Sequence, residues 1–445
     1  MPSDGSGILR YEPPPRPSAN QFRESLVAAF ERHGAAVTER HPLLHGRAAL
    51  QFLKLPLRGA LIFRKFSGQC DLIRDMHRQF LAITAAFTLI MGTGLAQQAA
   101  APYKVLKTAR VGGEGGWDYI FADTDGRRLY IPRGAAGAIA ATDTKPAVPA
   151  AVARLTIFNL DTLEPAGEIA GVGGNGTAVD PKSAHGFTSD HPKVSMFDTK
   201  TQTLIKSIDV GMARPDGIYF DSFNQRVYVF SHPTKDATVI DSKDGTVLGT
   251  IDLGGVPEQG VADGKGMLYV VMQDAVGSVT AVDVKTMKVT GHYTFTDKGG
   301  CNGLAIDVKN QILFAACGRS GNPPVQPAQP MMVILSATDG KILANLPLAG
   351  GSDGAVFNPA TMEAFSTHGN GTMTIIKEKN PVSFEVEQNL QTMNGARTVT
   401  LDSKTGHLFA MAQERGAAPP PPAGGGRGGQ GAAVPGSFTI VMVGR

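Results

Sequence analysis

Two sets of seven polar residues recur along the chain at intervals of about 40 to 60 residues, and their side chains could bind ions or move protons. The first set has one member near the start of each of seven predicted units: Asp118, Asn175, Asp216, Gln259, Asn302, Asp353 and Arg397. Oxygen atoms of this kind suit Ca²⁺ or another divalent cation, which takes about six to eight oxygen ligands. The candidate metal ligands are Asp118, Asp216 and Asp353.

The same residue types also have a structural explanation, and the sequence leaves both open. Asp and Asn before a strand form turns, and their side chains cap nearby backbone N–H groups. Arg397 would also bring a positive charge among the carboxylates, where it could displace a metal.

The second set follows the next predicted strand of each unit and combines basic and amide side chains: Arg133, His191, His232, Gln273, Arg319, His368 and Gln413. Such residues could bind an anion or transfer protons near neutral pH, with His232 and His368 as candidate catalytic residues. Three histidines could also bind a transition metal, although no HxH or HExxH spacing supports this. Both sets together predict a ligand-binding funnel at one face of the fold.

The elements that would position both sets are four short strands, repeated seven times. In the third unit, residues 215–221, 226–232, 237–241 and 247–253 form alternating or β-branched runs bounded by turn residues. Four strands in about 40 to 45 residues are typical of a propeller blade. The sequence therefore predicts an all-β, seven-bladed β-propeller with four antiparallel strands per blade. The blades begin near Trp117, Asn175, Pro215, Pro257, Cys301, Ser352 and Asn394.

The two ends of the propeller region predict how the ring closes. The seventh unit has only three predicted strands, and residues 103–111 (YKVLKTARV) can supply the fourth. This pairing would leave no exposed sheet edge at the closure. Three longer insertions, at 134–153, 318–330 and 416–436, fall between the second and third strands of units one, five and seven, where they would surround the funnel.

Residues 237–261 (ATVIDSKDGTVLGTIDLGGVPEQGV) resemble the YVTN-repeat, or YncE-like, β-propellers, and 268–271 (LYVV) with 279–283 (VTAVD) repeat the likeness. The resemblance covers residues 103–445 and implies a WD40/YVTN-like repeat architecture. Propellers of this kind serve as binding modules, surface proteins and enzymes, so the resemblance does not select a function.

An export signal lies well inside the chain. Residues 76–79 (MHRQ) are basic, 80–91 (FLAITAAFTLIM) carry no charge, and small residues occupy positions 94 and 96. This order predicts a signal peptide over 76–96, with the propeller at 97–445 in the periplasm or secreted. Residues 1–75 are then a non-native or disordered upstream extension. The alternative is a genuine cytoplasmic extension before a signal anchor.

Two cysteines of the fifth unit are predicted to face each other across a hairpin. Cys301 opens its first strand and Cys317 ends its second. In an exported protein this arrangement favours a disulfide, whereas two free thiols could bind a soft metal.

Charge and missing motifs exclude several functions. Residues 76–445 hold 31 Lys and Arg against 32 Asp and Glu, so the basic excess needed to bind nucleic acid is absent. No CxxCH motif supports covalent haem, and a single Trp argues against a pyrroloquinoline quinone propeller. We expect a monomer with no membrane span after signal cleavage.

Two functions compete, and whether the chain is an enzyme stays open. The first is a binding scaffold that takes a small polar ligand or a partner protein at its top-face funnel. The second is a metal-assisted hydrolase or lyase, similar to a lactonase, with an axial cation and funnel histidines.

Overall fold

The computed structural model describes residues 103–141, 146–296, 298–319, 329–417 and 431–445. Within these ranges, 28 strands form seven four-stranded antiparallel sheets without any helix, and therefore without a helix able to cross a membrane. The predicted seven-bladed β-propeller is confirmed. The upstream extension and the signal peptide lie outside the described residues.

The first three blades each contain four strands that are consecutive in the chain. Blade one has β2 (Phe121–Asp123), β3 (Arg128–Arg133), β4 (Arg154–Asn159) and β5 (Pro165–Ala170). Blade two has β6 (Thr177–Asp180), β7 (His185–Asp190), β8 (Lys193–Asp198) and β9 (Thr203–Asp209). Blade three has β10 (Pro215–Asp221), β11 (Arg226–Ser231), β12 (Asp236–Asp241) and β13 (Val247–Asp252).

The next three blades repeat this arrangement. Blade four has β14 (Pro257–Ala262), β15 (Met267–Met272), β16 (Ser278–Asp283) and β17 (Lys288–Thr294). Blade five has β18 (Gly300–Asp307), β19 (Ile312–Arg319), β20 (Met331–Ser336) and β21 (Ile342–Pro347). Blade six has β22 (Ser352–Asn358), β23 (Glu363–His368), β24 (Thr372–Asn380) and β25 (Ser383–Gln391).

Blade seven combines strands from both ends of the propeller. It has β26 (Arg397–Leu401), β27 (Leu408–Ala412), β28 (Thr439–Gly444) and β1 (Lys104–Arg110), in the order β1-β28-β27-β26. The outer strand β1 pairs antiparallel with β28, from Lys104 opposite Gly444 to Arg110 opposite Thr439. The edge of β28 is therefore covered.

The first strand of every blade lines a central channel, because residues of these seven strands form the channel wall. We call the end where these strands begin the top of the propeller. The second and third strands are almost fully buried between neighbouring blades, which explains their continuous β-branched and aromatic runs. The apolar packing continues across the closure, where Trp117 of blade one packs edge-to-face on Phe438 of blade seven, with ring centroids 5.0 Å apart.

The three long insertions lie between the second and third strands of blades one, five and seven, as predicted. In blade one, the isolated bridges Ala136–Ala151 and Ile139–Val148 extend the hairpin beyond β3 and β4. Residues 142–145, 320–328 and 418–430, which include most of the other two insertions, lie outside the described residues.

Candidate functional site

A β-bulge at the top of the first strand turns the site residues toward the channel. In blade three, Pro215 pairs with Ser231 and Ile218 pairs with Val229, so two residues, Asp216 and Gly217, stand opposite one. A bulge of this kind redirects a side chain and ends regular pairing. The same bulge occurs in blades four and six; in blade five Asn302 is an extra residue between two pairs, and in blade seven the bulge follows Arg397.

The pairing register corrects the predicted ring in blade four. Pro257 pairs with Met272, as Pro215 pairs with Ser231, so Glu258 and not Gln259 is the counterpart of Asp216. We therefore define the top ring as Asp118, Asn175, Asp216, Glu258, Asn302, Asp353 and Arg397. Gln259 fills the position that glycine holds in the four blades two, three, five and six. Its side chain accepts hydrogen bonds from the backbone N–H groups of Leu304 and Ala355, both at 3.0 Å.

Members of the top ring bind one another across blade boundaries. The Asn175 amide donates a hydrogen bond to Asp216 Oδ1, and Asn302 Nδ2 donates to Glu258 Oε1 at 3.1 Å. Arg397 Nη1 lies 3.3 Å from Asp353 Oδ2, while Arg397 Nη2 donates to the Trp117 carbonyl at 3.1 Å. The ring is thus a connected polar network and not a set of independent turns.

Glu258 is the most heavily hydrogen-bonded member of the ring and the one that the sequence analysis missed. Its carboxylate is buried, at 6% exposure, and accepts hydrogen bonds from Tyr119 Oη, Gln273 Nε2 and Asn302 Nδ2. Burial still raises the pKa of Glu258 above its usual range, against the lowering effect of His232 and Tyr119. The same burial, and then the nearby Glu258 charge, raises the pKa of Tyr119 well above its usual value.

Glycine at position 217 permits close packing at the top of blade three. A Cβ atom at Gly217 would lie 3.1 Å from both the Glu258 carbonyl oxygen and the Phe230 ring, and 3.7 Å from the Tyr119 ring. The small residue therefore lets the backbone of blade four approach blade three closely, with Tyr119 in ordinary contact. Tyr119 itself occupies the equivalent position in blade one.

His232 lies between two carboxylates of neighbouring blades. Its Nε2 atom is 2.8 Å from Asp216 Oδ2 and 3.4 Å from Glu258 Oε1. Burial alone would lower the pKa of His232, but the two carboxylates raise it to about 10, so the imidazole is protonated at neutral pH. Burial alone would likewise raise the pKa of Asp216, but His232 and Asn175 hold it below its usual range.

Asp118 differs from its neighbours because its carboxyl group makes no hydrogen bond or ion pair with any described residue. Burial and then the charges of Asp353 and Asp216 raise its pKa well above the usual range, and Arg397 only partly opposes this. A carboxyl group in this setting favours a bound proton or a cation.

The rest of the second predicted set is dispersed. Only His232 and Gln273 contact the top ring by ion pair or hydrogen bond, although His191 lies near enough for its charge to lower the pKa of Asp216. His191 is exposed, and Gln413 is buried at the end of β27. The side chain of Arg319 lies outside the described residues.

Arg133 is buried between blades one and seven, and His368 is buried in blade six. Arg133 stacks on Phe438 with its guanidinium 3.4 Å from the ring centroid, and it donates to the carbonyls of Gly112 and Glu114. The His368 Nδ1 atom lies 2.9 Å from Thr372 Oγ1, and burial lowers the pKa of His368 to about 4. No contact joins His368 to His232 or to the carboxylates of the ring among the described residues. The two candidate catalytic histidines are therefore not brought together.

Below the top ring, the central channel has a cavity volume of about 360 Å³. Its wall is mainly apolar and includes Ile218, Val261, Leu304, Val356 and Val399. A polar ring above an apolar cavity is a common arrangement for a small-molecule site.

The structure also joins Cys301 and Cys317 by a disulfide bond. The two residues are directly paired between β18 and β19. The bond lies next to Asn302 and so fixes the top of blade five beside the ring.

Comparison with known proteins supports the fold alone. No protein family model and no curated protein matches the chain, so membership of the YVTN or YncE-like family is not confirmed. The chain is similar to Kuenenia stuttgartiensis hydrazine synthase, with a TM-score of 0.54 and 18% identity over 66% of this chain and 91% of that one. It is also similar to a chain of the mitotic checkpoint complex, with a TM-score of 0.56 and 9% identity over 76% of this chain and 93% of that one.

Proposed function

We propose that this protein is a binding propeller that takes a small polar ligand carrying positive charge at its top ring. One observation carries the proposal: the ring brings four carboxyl groups together around one end of the channel, and among the described residues two cations form ion pairs with them. The carboxyl groups belong to Asp118, Asp216, Glu258 and Asp353, and the cations to His232 and Arg397.

The distribution of these charges supports a ligand and not a closed ion-pair network. Asp216 and Glu258 share His232, and Asp353 pairs with Arg397, but Asp118 has no such partner. Bringing like charges together at a buried position costs free energy unless a proton or another cation neutralises them. A cationic ligand would remove this cost, so the free protein is set up to bind one.

The size of the channel limits the ligand. A cavity of about 360 Å³ is within the lower part of the range for small-molecule sites. A metal ion, a small amine or a compact solute with a cationic group would fit. Apolar side chains below the ring would contact any uncharged part of it.

We propose that the protein works outside the cytoplasm, as the signal sequence at 76–96 predicts. The disulfide between Cys301 and Cys317 supports this location, because such bonds persist in oxidising compartments. A partner protein could also dock on the top face, since a structural neighbour of this fold belongs to a multiprotein complex.

A metal-assisted hydrolase or lyase is the second candidate, and the grouping of His232 with Asp216 and Glu258 favours it. An imidazole beside carboxylates can transfer protons, and Tyr119 lies in the same network. His368 would take no part, because its side chain is buried against Thr372.

The test is a binding titration of the purified mature chain with Ca²⁺, Mg²⁺, Mn²⁺, Zn²⁺ and 1,4-diaminobutane, followed by calorimetry and thermal unfolding. We expect at least one of these cations to bind with one-to-one stoichiometry and raise the unfolding temperature. Asp118→Asn should weaken that binding about tenfold, since one carboxylate is lost from the ring. Asp125→Asn removes the same charge from an exposed turn of blade one and should change nothing. Absence of binding by all five probes, or equal effects of both variants, would overturn the proposal.

A further inference from the structure

Three side chains of the top face have the chemistry and spacing of a metal site. One ligand atom from each of Asp216, His232 and Glu258 lies within 4.8 Å of the other two. Asp216 and Glu258 come from the bulges of neighbouring blades, and His232 follows β11. An ion between these atoms would connect blades three and four directly.

Both carboxylates are already oriented by donors on their outer side. The Asn175 amide holds Asp216 Oδ1, which leaves Oδ2 facing His232. The Tyr119 hydroxyl holds Glu258 Oε2, while Oε1 faces His232 and also accepts hydrogen bonds from Gln273 Nε2 and Asn302 Nδ2. Hydrogen bonds that orient carboxylates in this way are the usual support of metal ligands.

Two polar atoms of this cluster are buried without a hydrogen-bond partner. His232 Nε2 lies at ion-pair distance from both carboxylates but forms a hydrogen bond of good geometry with neither. Asn302 is 4% exposed, and its Oδ1 accepts no hydrogen bond, although its Nδ2 donates to Glu258. Buried polar atoms left unsatisfied at one place indicate that a bound species completes them.

The donor set points to one class of ion. When a metal ion displaces the Nε2 proton of His232 into solvent, the imidazole nitrogen and two carboxylate oxygens suit Mn²⁺, Fe²⁺, Co²⁺ or Zn²⁺, whereas Ca²⁺ prefers a shell made entirely of oxygen. We propose that Asp216, His232 and Glu258 bind a first-row divalent transition-metal ion, with Asn302 Oδ1 close enough to the cluster to contribute. This inference rests on the proposed cation-binding function and narrows its ligand to one chemical class.

The site differs from the one that the sequence predicted. Asp118 and Asp353 were expected as ligands, but the three-residue cluster of the described chain does not include them. Asp118 would then act at longer range, by adding negative charge beside the ion.

The experiment uses the full chain, stripped with a chelator and titrated separately with Zn²⁺, Mn²⁺ and Ca²⁺ in the calorimeter. We expect one Zn²⁺ or Mn²⁺ per chain and much weaker Ca²⁺ binding. His232→Gln and Glu258→Gln should each weaken transition-metal binding at least 100-fold, since each removes a ligand. His191→Gln is the comparison variant and should weaken binding far less, because His191 follows β7 as His232 follows β11, is exposed, and acts on Asp216 only through its charge.

Each outcome bears on a different claim. If Ca²⁺ or the diamine binds as tightly to His232→Gln as to the wild type, and transition metals bind no better, the metal site is refuted while the binding function stands. If His191→Gln and His232→Gln weaken Zn²⁺ binding equally, the metal is held by surface histidines and the inference also fails. If no cation binds the wild type, both proposals fail. Stripped variants are compared by thermal unfolding, and Co²⁺ absorption spectra report loss of the imidazole ligand in any variant that still binds.

Discussion

The first strand of each blade carries an acid or amide near both of its ends, and the two ends use these residues differently. We define the bottom ring as Asp123, Asp180, Asp221, Asp263, Asp307, Asn358 and Asp402. Each of its members accepts a hydrogen bond from a backbone N–H two or three residues further on, at 2.7 to 3.2 Å. Members of the top ring instead bond to other blades.

The contrast separates a structural role from a functional one for the same residue types. At the bottom, a tight turn follows the strand, and each side chain accepts a backbone N–H of that turn, to which Asp180 and Asp402 add contacts with Ser242 and Arg127 of neighbouring blades. At the top, the bulge turns the side chain away from its own turn, so that the side chain can contact other blades and ligands. The turn explanation therefore accounts for the bottom ring but not for the top ring.

The largest change in the free energy of unfolding is expected when Asp402 of the bottom ring is replaced. Its buried carboxylate accepts hydrogen bonds from Lys404 N and Thr405 Oγ1 and lies 2.8 Å from Arg127 Nη1. Asp402→Ala should lower the free energy of unfolding by about 3 kcal/mol, because it breaks a buried charge pair and a turn. Chemical denaturation measures this loss. A change below about 1 kcal/mol would show that the bottom ring is not structural.

An effect of intermediate size is expected from Glu378, which lies near Asp307 of the bottom ring and should make the free energy of unfolding depend on pH. Glu378 is buried between blades five and six, where Asn310 Nδ2 donates to it at 2.7 Å. Burial and then Asp307 raise the pKa of Glu378 from 4.5 to about 7, so the folded protein holds a proton that the unfolded chain releases. The contribution of Glu378 to the free energy of unfolding is therefore greatest below about pH 4.5 and is lost as the pH rises to about 7.

The comparison of wild type with Glu378→Gln isolates this group. Between pH 5 and pH 8, the wild type should lose on the order of 2 kcal/mol more of its unfolding free energy than the variant does. Parallel urea titrations at both pH values provide the measurement. If the two proteins respond to pH alike, Glu378 carries its charge in the folded state and this account of the bottom ring is wrong.

The smallest effect is expected at the top ring, and its sign is opposite. Asp118→Asn should raise the free energy of unfolding of the unliganded protein by about 1 kcal/mol, because it removes a carboxyl group crowded by Asp216 and Asp353. The same substitution should weaken cation binding. Thermal and urea unfolding in chelator measure the gain; a loss of stability would show that Asp118 has a structural role.

Much of the fold could be predicted from the sequence because every blade repeats local signals. The acid at the end of the first strand and the aromatic residue of the second mark the hairpin in six blades at a constant separation, as in Asp221 and Tyr228. Predicted starts of blades three, four and six coincide with β10, β14 and β22. Blade one differs most, since β2 begins at Phe121 and not near Trp117.

The site could be predicted only in part. Six of the seven ring members were identified, and Glu258 was missed because glycine was used to align blade four. The separation between the two rings was the better guide: it is five residues in every blade, and Glu258 lies five before Asp263. The roles of Tyr119 and His232 could not be predicted, because they depend on contacts between blades.

The most direct test of the whole account uses the two ends of one strand. Asp216→Ala and Asp221→Ala remove the same group from the top and the bottom of β10. Unfolding free energies are measured for both, without and with a saturating cation that stabilises the wild type. We predict that Asp221→Ala loses about 1 to 2 kcal/mol but keeps the stabilisation by the cation, whereas Asp216→Ala loses that stabilisation as well as the ion pair with His232. Full stabilisation by the cation in Asp216→Ala would contradict the account.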